Sequence, residues 1–206
     1  MRVHTRETQS SLTPEKAIQF LKEGNDRFVR NLKANRNLLQ QVNETSTGQF
    51  PFAIILSCID SRTSAELIFD QGLGDIFSTR VAGNVVNEDI LGSMEFACKV
   101  AGSKVVLVLG HTHCGAIKGA CDHVEMGHLT GLLQKIEPAI KLETTTTDRS
   151  SKNTEFVQSV AENNVHLMME RVREESPILK EMEQSGEISI IGGMYDVETG
   201  KVDFYE

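Results

Sequence analysis

At 206 residues, with 39% hydrophobic and 24% charged side chains, the chain has the composition of a soluble α/β protein able to bury a substantial core. A formal net charge of −8 with no compensating Lys/Arg block excludes a nucleic-acid-binding surface, although a local positive site could still hold a small anion. Met1–Arg6 is polar and no apolar run approaches the roughly 18 residues of a membrane span, so a cytoplasmic protein with reduced thiols and no membrane partner is expected.

Thr13-Pro14-Glu15 reads as a helix start: a hydroxyl N-cap, Pro at the first helical position and an acid in the first turn. Ile18, Leu21, Phe28 and Leu32 recur near helical spacing and predict an amphipathic helix to about residue 34. This arm, residues 1–35, precedes the first strand and has no strand of its own to cover, so it is expected to pack on a partner subunit. Residues 35–50 are polar and read as a loop. Phe52–Leu56 is a continuous apolar run, as in a strand buried on both faces. A short helix over Ser64–Asp70, a strand over Asp75–Val81 and a helix over Glu88–Ala101 follow. Lys104–Leu109 is the most strand-like segment of the chain and enters Gly110.

The second half predicts helices over Ala116–Val124, His128–Glu143 and Thr154–Glu175. The last carries Val157, Val160, Val165, Met168 and Val172 as a core-facing stripe. Ile188–Met194 and Lys201–Tyr205, joined across Glu198-Thr199-Gly200, read as a closing hairpin. Alternating strands and helices imply right-handed βαβ units. The expected fold is α/β: a mostly parallel central sheet flanked by helices, with an N-terminal helical arm and a C-terminal hairpin, in one domain spanning residues 1–206.

Two short stretches carry the chemistry: Cys58-Ile59-Asp60-Ser61-Arg62 and His111-Thr112-His113-Cys114. Each follows a predicted strand, and ligands gather at the carboxyl ends of parallel strands, so two distant loops can meet there. Two thiolates and an imidazole form the ligand set of a zinc site with one position open, the catalytic rather than the structural arrangement. Two thiolates also cancel the charge of the metal, so a bound water is acidified less than in an all-imidazole site and needs help from a further group. Asp60 is the candidate, and a bidentate pair with Arg62 would hold it off the metal; the plain alternative is an ordinary loop ion pair. Spacing to Cys114 favours His111 over His113 as the imidazole. Cys98 and Cys121 read as small buried hydrophobes, and without a Cys-x-x-Cys pair a redox role is the weaker reading.

Cys-x-Asp-x-Arg followed by Gly-His-x-x-Cys-Gly resembles the β-class carbonic anhydrases. Gly24–Phe28, Arg80–Asn84, Gly92–Ala97, Gly110–Lys118 and Gly192–Tyr195 extend the resemblance over nearly the whole chain. It implies reversible hydration of carbon dioxide to bicarbonate and a proton by hydroxide on zinc, in a homodimer or homotetramer. Carried over by residue, it implies one Zn2+ per subunit on Cys58, His111 and Cys114, with Asp60 and Arg62 as a catalytic dyad. Phe77 and Ala82 correspond to an apolar wall for the substrate, and Gly115 follows the last ligand. Gln49, nine residues before Cys58, matches the Gln with which always-open members reach in from the partner subunit. Ile55 and Ser57 stand where the bicarbonate-regulated class has Trp and Gly, and the chain contains no Trp. Ile59 and Phe96 depart from the commoner Ser and Tyr. The alternatives are hydrolysis of carbon disulfide or carbonyl sulfide on the same fold, and a non-catalytic protein with a structural zinc.

Overall fold

A computed structural model describes residues 3–205; Met1, Arg2 and Glu206, which the expected 1–206 domain includes, lie outside the described residues. One sheet is built from β1 (Ala53–Ser57), β2 (Ile76–Arg80), β3 (Val105–His111), β4 (Ser189–Tyr195) and β5 (Val202–Tyr205). Its order is β2-β1-β3-β4-β5, parallel throughout except for the antiparallel β4–β5 hairpin. Every residue of β1 and β3 is buried, which explains why both read as unbroken apolar runs. Edge strand β2, Ile-Phe-Ser-Thr-Arg, is only partly covered.

Side chains of the central strands alternate between two cores. Ile54, Leu56, Val106, Val108 and Ile190 face one layer of helices, while Ala53, Ile55, Val105, Leu107, Leu109 and Ile191 face the other. The N-terminal helices are α1 (Arg6–Ser10), α2 (Pro14–Val29) and α3 (Leu38–Thr45). Contrary to the expected arm without a strand to cover, α2 buries Ala17, Ile18 and Leu21 against the second core of its own chain. It ends at Val29, before the expected residue 34, because the chain turns into the left-handed region at Asn31 (φ 55°). Within the expected 35–50 loop, α3 forms under an Asn37 cap that accepts the Gln40 N–H at 3.1 Å.

The other layer holds α5 (Glu88–Glu95), which follows the short α4 (Ala65–Ile68) in the chain, then α6 (Gly115–Cys121), α7 (Gly127–Leu133), α8 (Glu137–Leu142), α9 (Thr154–Glu175) and α10 (Pro177–Gln184). The helix expected over Glu88–Ala101 changes to π winding at Phe96–Val100. That expected over His128–Glu143 breaks at a 3-10 turn, Gln134–Ile136, because Pro138 begins a new helix rather than continuing one. Ser176 caps α10, a helix that hydrophobic spacing alone does not reveal. Long helix α9 lies against β3 and β4 where they lack side chains: a Cβ on Gly110 or Gly192 would come within 2.6 Å of Val165 Cγ2 or Met169 Sδ respectively. No helix of the described residues is long and apolar enough to cross a membrane.

Candidate metal centre

Parallel pairing of β1 with β3 sets Leu56 beside Val108, so the carboxyl ends of both strands open onto the same edge of the sheet. Cys58 follows β1 directly, His111 is the last residue of β3 rather than the first beyond it, and Cys114 caps α6. All three are at least 96% buried. The two sulfurs stand 3.9 Å apart, and the ligand atoms of the three residues lie within 4.8 Å of one another.

His111 Nδ1 is 2.9 Å from the carbonyl of Thr112, which fixes Nδ1 as the protonated nitrogen and leaves the Nε2 lone pair free. Nε2 is buried and has no hydrogen-bond partner among the described residues. A buried imidazole lone pair left beside two thiols is the donor set a borderline-soft cation takes, and the bond from Nδ1 to the Thr112 carbonyl already orients the ring. His113 turns the other way: its backbone has φ 56° and its ring bonds Glu198 at 3.1 Å. Contact between the two thiols drives their acidities apart. Contact with Cys114 pulls Cys58 down despite burial, with His111 and the backbone N–H groups assisting, while the same contact and burial push Cys114 up.

Arg62 grips Asp60 in a fork, donating from Nε to Oδ1 at 2.9 Å and from Nη2 to Oδ2 at 2.8 Å. Its backbone N–H adds a third bond to Oδ1 at 3.0 Å. The guanidinium holds the Asp60 carboxyl well below the usual carboxylate range. Asp60 Oδ2 lies 4.0 Å from His111 Nε2, so the dyad is beside the ligand cluster and is more than a distant loop pair.

Other contacts were not assigned from sequence. Arg80, register partner of Ser57, donates from Nε to the carbonyl of Cys58 at 2.8 Å and from Nη2 to that of Asp60 at 2.5 Å. Thr63 Oγ1 donates to the same two carbonyls at 2.9 Å. Together they fix the backbone of the Cys58–Asp60 loop. An Arg at the carboxyl end of a strand was the available signal. Gly83 N–H approaches Cys58 Sγ at 3.4 Å.

The expected substrate residues separate. Ala82 is half-buried in the turn that carries Gly83, and Gly115 is exposed at the start of α6 directly after Cys114. Phe77 meets Phe96 edge-on at 6.2 Å and lines a cavity of about 650 Å³ with Ile54, Thr79, Asp89 and Gly92, a lining that does not include the three ligand residues. Gln49 is exposed between α3 and β1. Within one chain it does not join the cluster by any hydrogen bond among the described residues.

The family profile described as carbonic anhydrase matches residues 53–202. Carbonic anhydrase 2 of Mycobacterium tuberculosis is 36% identical over 196 residues, covering 91% of each chain. A carbonic anhydrase of Mycolicibacterium smegmatis is 39% identical over 136 residues, covering 63% of this chain and 66% of its own. Among solved structures, the β-carbonic anhydrase CcaA superposes with a TM-score of 0.73 at 26% identity, covering 92% of this chain and 95% of its own. With that match spanning both ligand loops, the chain belongs to the carbonic anhydrase family, in its β class.

Proposed function

We propose that the chain catalyses the reversible hydration of carbon dioxide at a zinc ion held by Cys58, His111 and Cys114. The observation that carries this reading is the free His111 Nε2 facing both sulfurs, with the Arg62-tethered Asp60 Oδ2 4.0 Å away. A zinc ion there would supply the Lewis acidity that makes water nucleophilic near neutral pH. Arg62 keeps the Asp60 carboxylate directed and ionised, and Asp60 accepts a hydrogen bond from the attacking water, turning a lone pair toward carbon dioxide. Ala82 and Gly115 flank the cluster without offering a charge that a neutral substrate would have to desolvate.

A homo-oligomeric assembly, dimer or tetramer, belongs to the same reading. Leu38, Leu39 and Val42 on α3 and Phe96 and Val100 on the π-wound segment are exposed apolar residues. Packing a second copy over α3 would carry the following Gln49 toward a neighbouring site. A cytoplasmic setting belongs to the same reading, since the free thiols of both cysteine ligands stay reduced there.

The test is stopped-flow hydration followed with a pH indicator, with zinc content measured on the same samples. Carbon disulfide and carbonyl sulfide serve as competing substrates. Negligible carbon dioxide hydration alongside sulfide release would overturn the substrate assignment, and a fourth side-chain ligand on the metal would overturn catalysis.

A further inference from the structure

Asn164 is fully buried on α9, in the stripe that Val157, Val160, Val165, Met168 and Val172 otherwise fill. Its Nδ2 donates to the carbonyl of Gly83 at 2.9 Å, and its Oδ1 has no partner among the described residues. An apolar residue would complete the stripe without a half-satisfied amide, so the bond to Gly83 is what the polar residue contributes.

Gly83 belongs to a turn in uncommon geometry. Its own φ is 68° and that of Asn84 is 44°, and Asn84 Nδ2 is also buried without a partner among the described residues. The same glycine presents its N–H to Cys58 Sγ at 3.4 Å. One residue is thus gripped through its carbonyl by α9 while its amide meets a candidate ligand. A side chain at Gly83 would be strained by the positive φ, and its Cβ, 2.8 Å from Ile136 Cδ1, would force that side chain to shift.

We propose that Asn164 is a positioning residue for the metal centre, holding the Gly83 N–H on Cys58 Sγ and so setting the donor strength and direction of that sulfur. The proposal rests on the reading of Cys58, His111 and Cys114 as metal ligands. An N–H donated to a metal-bound thiolate withdraws charge from sulfur and fixes one of its lone pairs, and outer contacts of this kind typically change metal affinity about 10–100-fold.

The experiment uses the full chain loaded with Co2+, and with Zn2+ in competition against a chelator. The wild type should show a thiolate-to-cobalt charge-transfer band; its absence would sink the ligand reading itself. Given that band, Asn164→Ala and the near-isosteric Asn164→Leu, which has no donor, should move it to lower energy and weaken zinc about 10–100-fold. Asn163→Ala removes a comparable anchor, the bond from Nδ2 to the Ala139 carbonyl at 3.3 Å, and should leave both readings unchanged. An unmoved band with undiminished affinity in folded Asn164 variants overturns the proposal. Should neither variant fold, wild-type protein loaded with the NMR-active cadmium isotope decides: scalar coupling between the metal and the Gly83 amide proton supports the proposal, and its absence overturns it.

Discussion

Asp60 Oδ2 and His111 Nε2 face each other at 4.0 Å, with Arg62 holding the carboxylate by its fork. The acid is therefore near enough to compete for a metal and is restrained from doing so. Removing its charge and removing its restraint should have different effects. Asp60→Asn should keep zinc and lose activity by about 10²–10⁴-fold, the range for a positioned proton acceptor. Arg62→Ala should also lose activity but raise the pH at which it appears. Indicator-linked stopped flow over a pH series, with metal analysis, separates the two; zinc loss in Asp60→Asn would make Asp60 a ligand.

Arg80 works on the backbone of the same loop. Arg80→Ala deletes bonds from a cation to the carbonyls of Cys58 and Asp60. A loss of about 1–3 kcal/mol is expected in urea denaturation of the metal-free protein, since charge-assisted bonds sit at the upper end of the range for single hydrogen bonds. Unchanged stability would show that water replaces the guanidinium freely.

Zinc should stabilise the folded chain by mass action. At about 100 times its Kd, the gain is about 2.7 kcal/mol, or roughly 5–10 °C in Tm for a chain of this size. Differential scanning calorimetry with and without a chelator measures it. The stripped chain should remain folded, because both apolar cores are complete without the ligand residues' metal.

Leu39 is 78% exposed on α3, so a charge there costs an isolated chain little. Leu39→Glu should nevertheless shift the protein to smaller species in sedimentation velocity and raise KM through the displaced Gln49 of the assembly. A monomeric wild type would remove the basis of this expectation.

Asp70 gives an acid-linked stability term. Burial pushes its carboxyl up, but bonds from Arg27, the Ala34 N–H and Arg36 outweigh burial and hold it below its usual value. A lowered folded-state pKa contributes stability that is complete above the unfolded-chain value of about 4 and fades as pH falls toward the folded value. Asp70→Asn should cost about 3 kcal/mol at pH 7, as expected for breaking a buried pair. The gap between wild type and variant should close below about pH 4 in pH-resolved denaturation.

The sheet and its ligand loops were legible because β1 and β3 are buried on both faces and leave unbroken apolar runs. Helix α3 was not, since a side-chain cap makes it and Gln41, reaching Leu73 N–H at 3.2 Å, anchors it, which hydrophobic spacing cannot register. The choice of His111 over His113 rested on spacing, whereas the deciding features are the backbone turn at His113 and its bond to Glu198. Asn164 escaped notice for a related reason. Its neighbours in the stripe announce a core, and only the contact with a turn 81 positions away gives the exception a meaning. Phe77 was read as part of the substrate wall from the resemblance alone; it lines a cavity on edge strand β2 together with Phe96.

The glycine contacts of α9 divide the ligand cluster mechanically. Gly110 is seated against Val165 and immediately precedes His111, so the imidazole is anchored by close packing that yields only if the sheet and α9 part. Cys58 is held instead by hydrogen bonds, from Arg80 and Thr63 to its carbonyl and from the Gly83 N–H to its sulfur, and of these three donors only Arg80 is exposed. The two ligand residues are thus seated by different forces, one by close contact and the other by directional bonds, so a change on α9 and a change at Arg80 should disturb opposite sides of the centre.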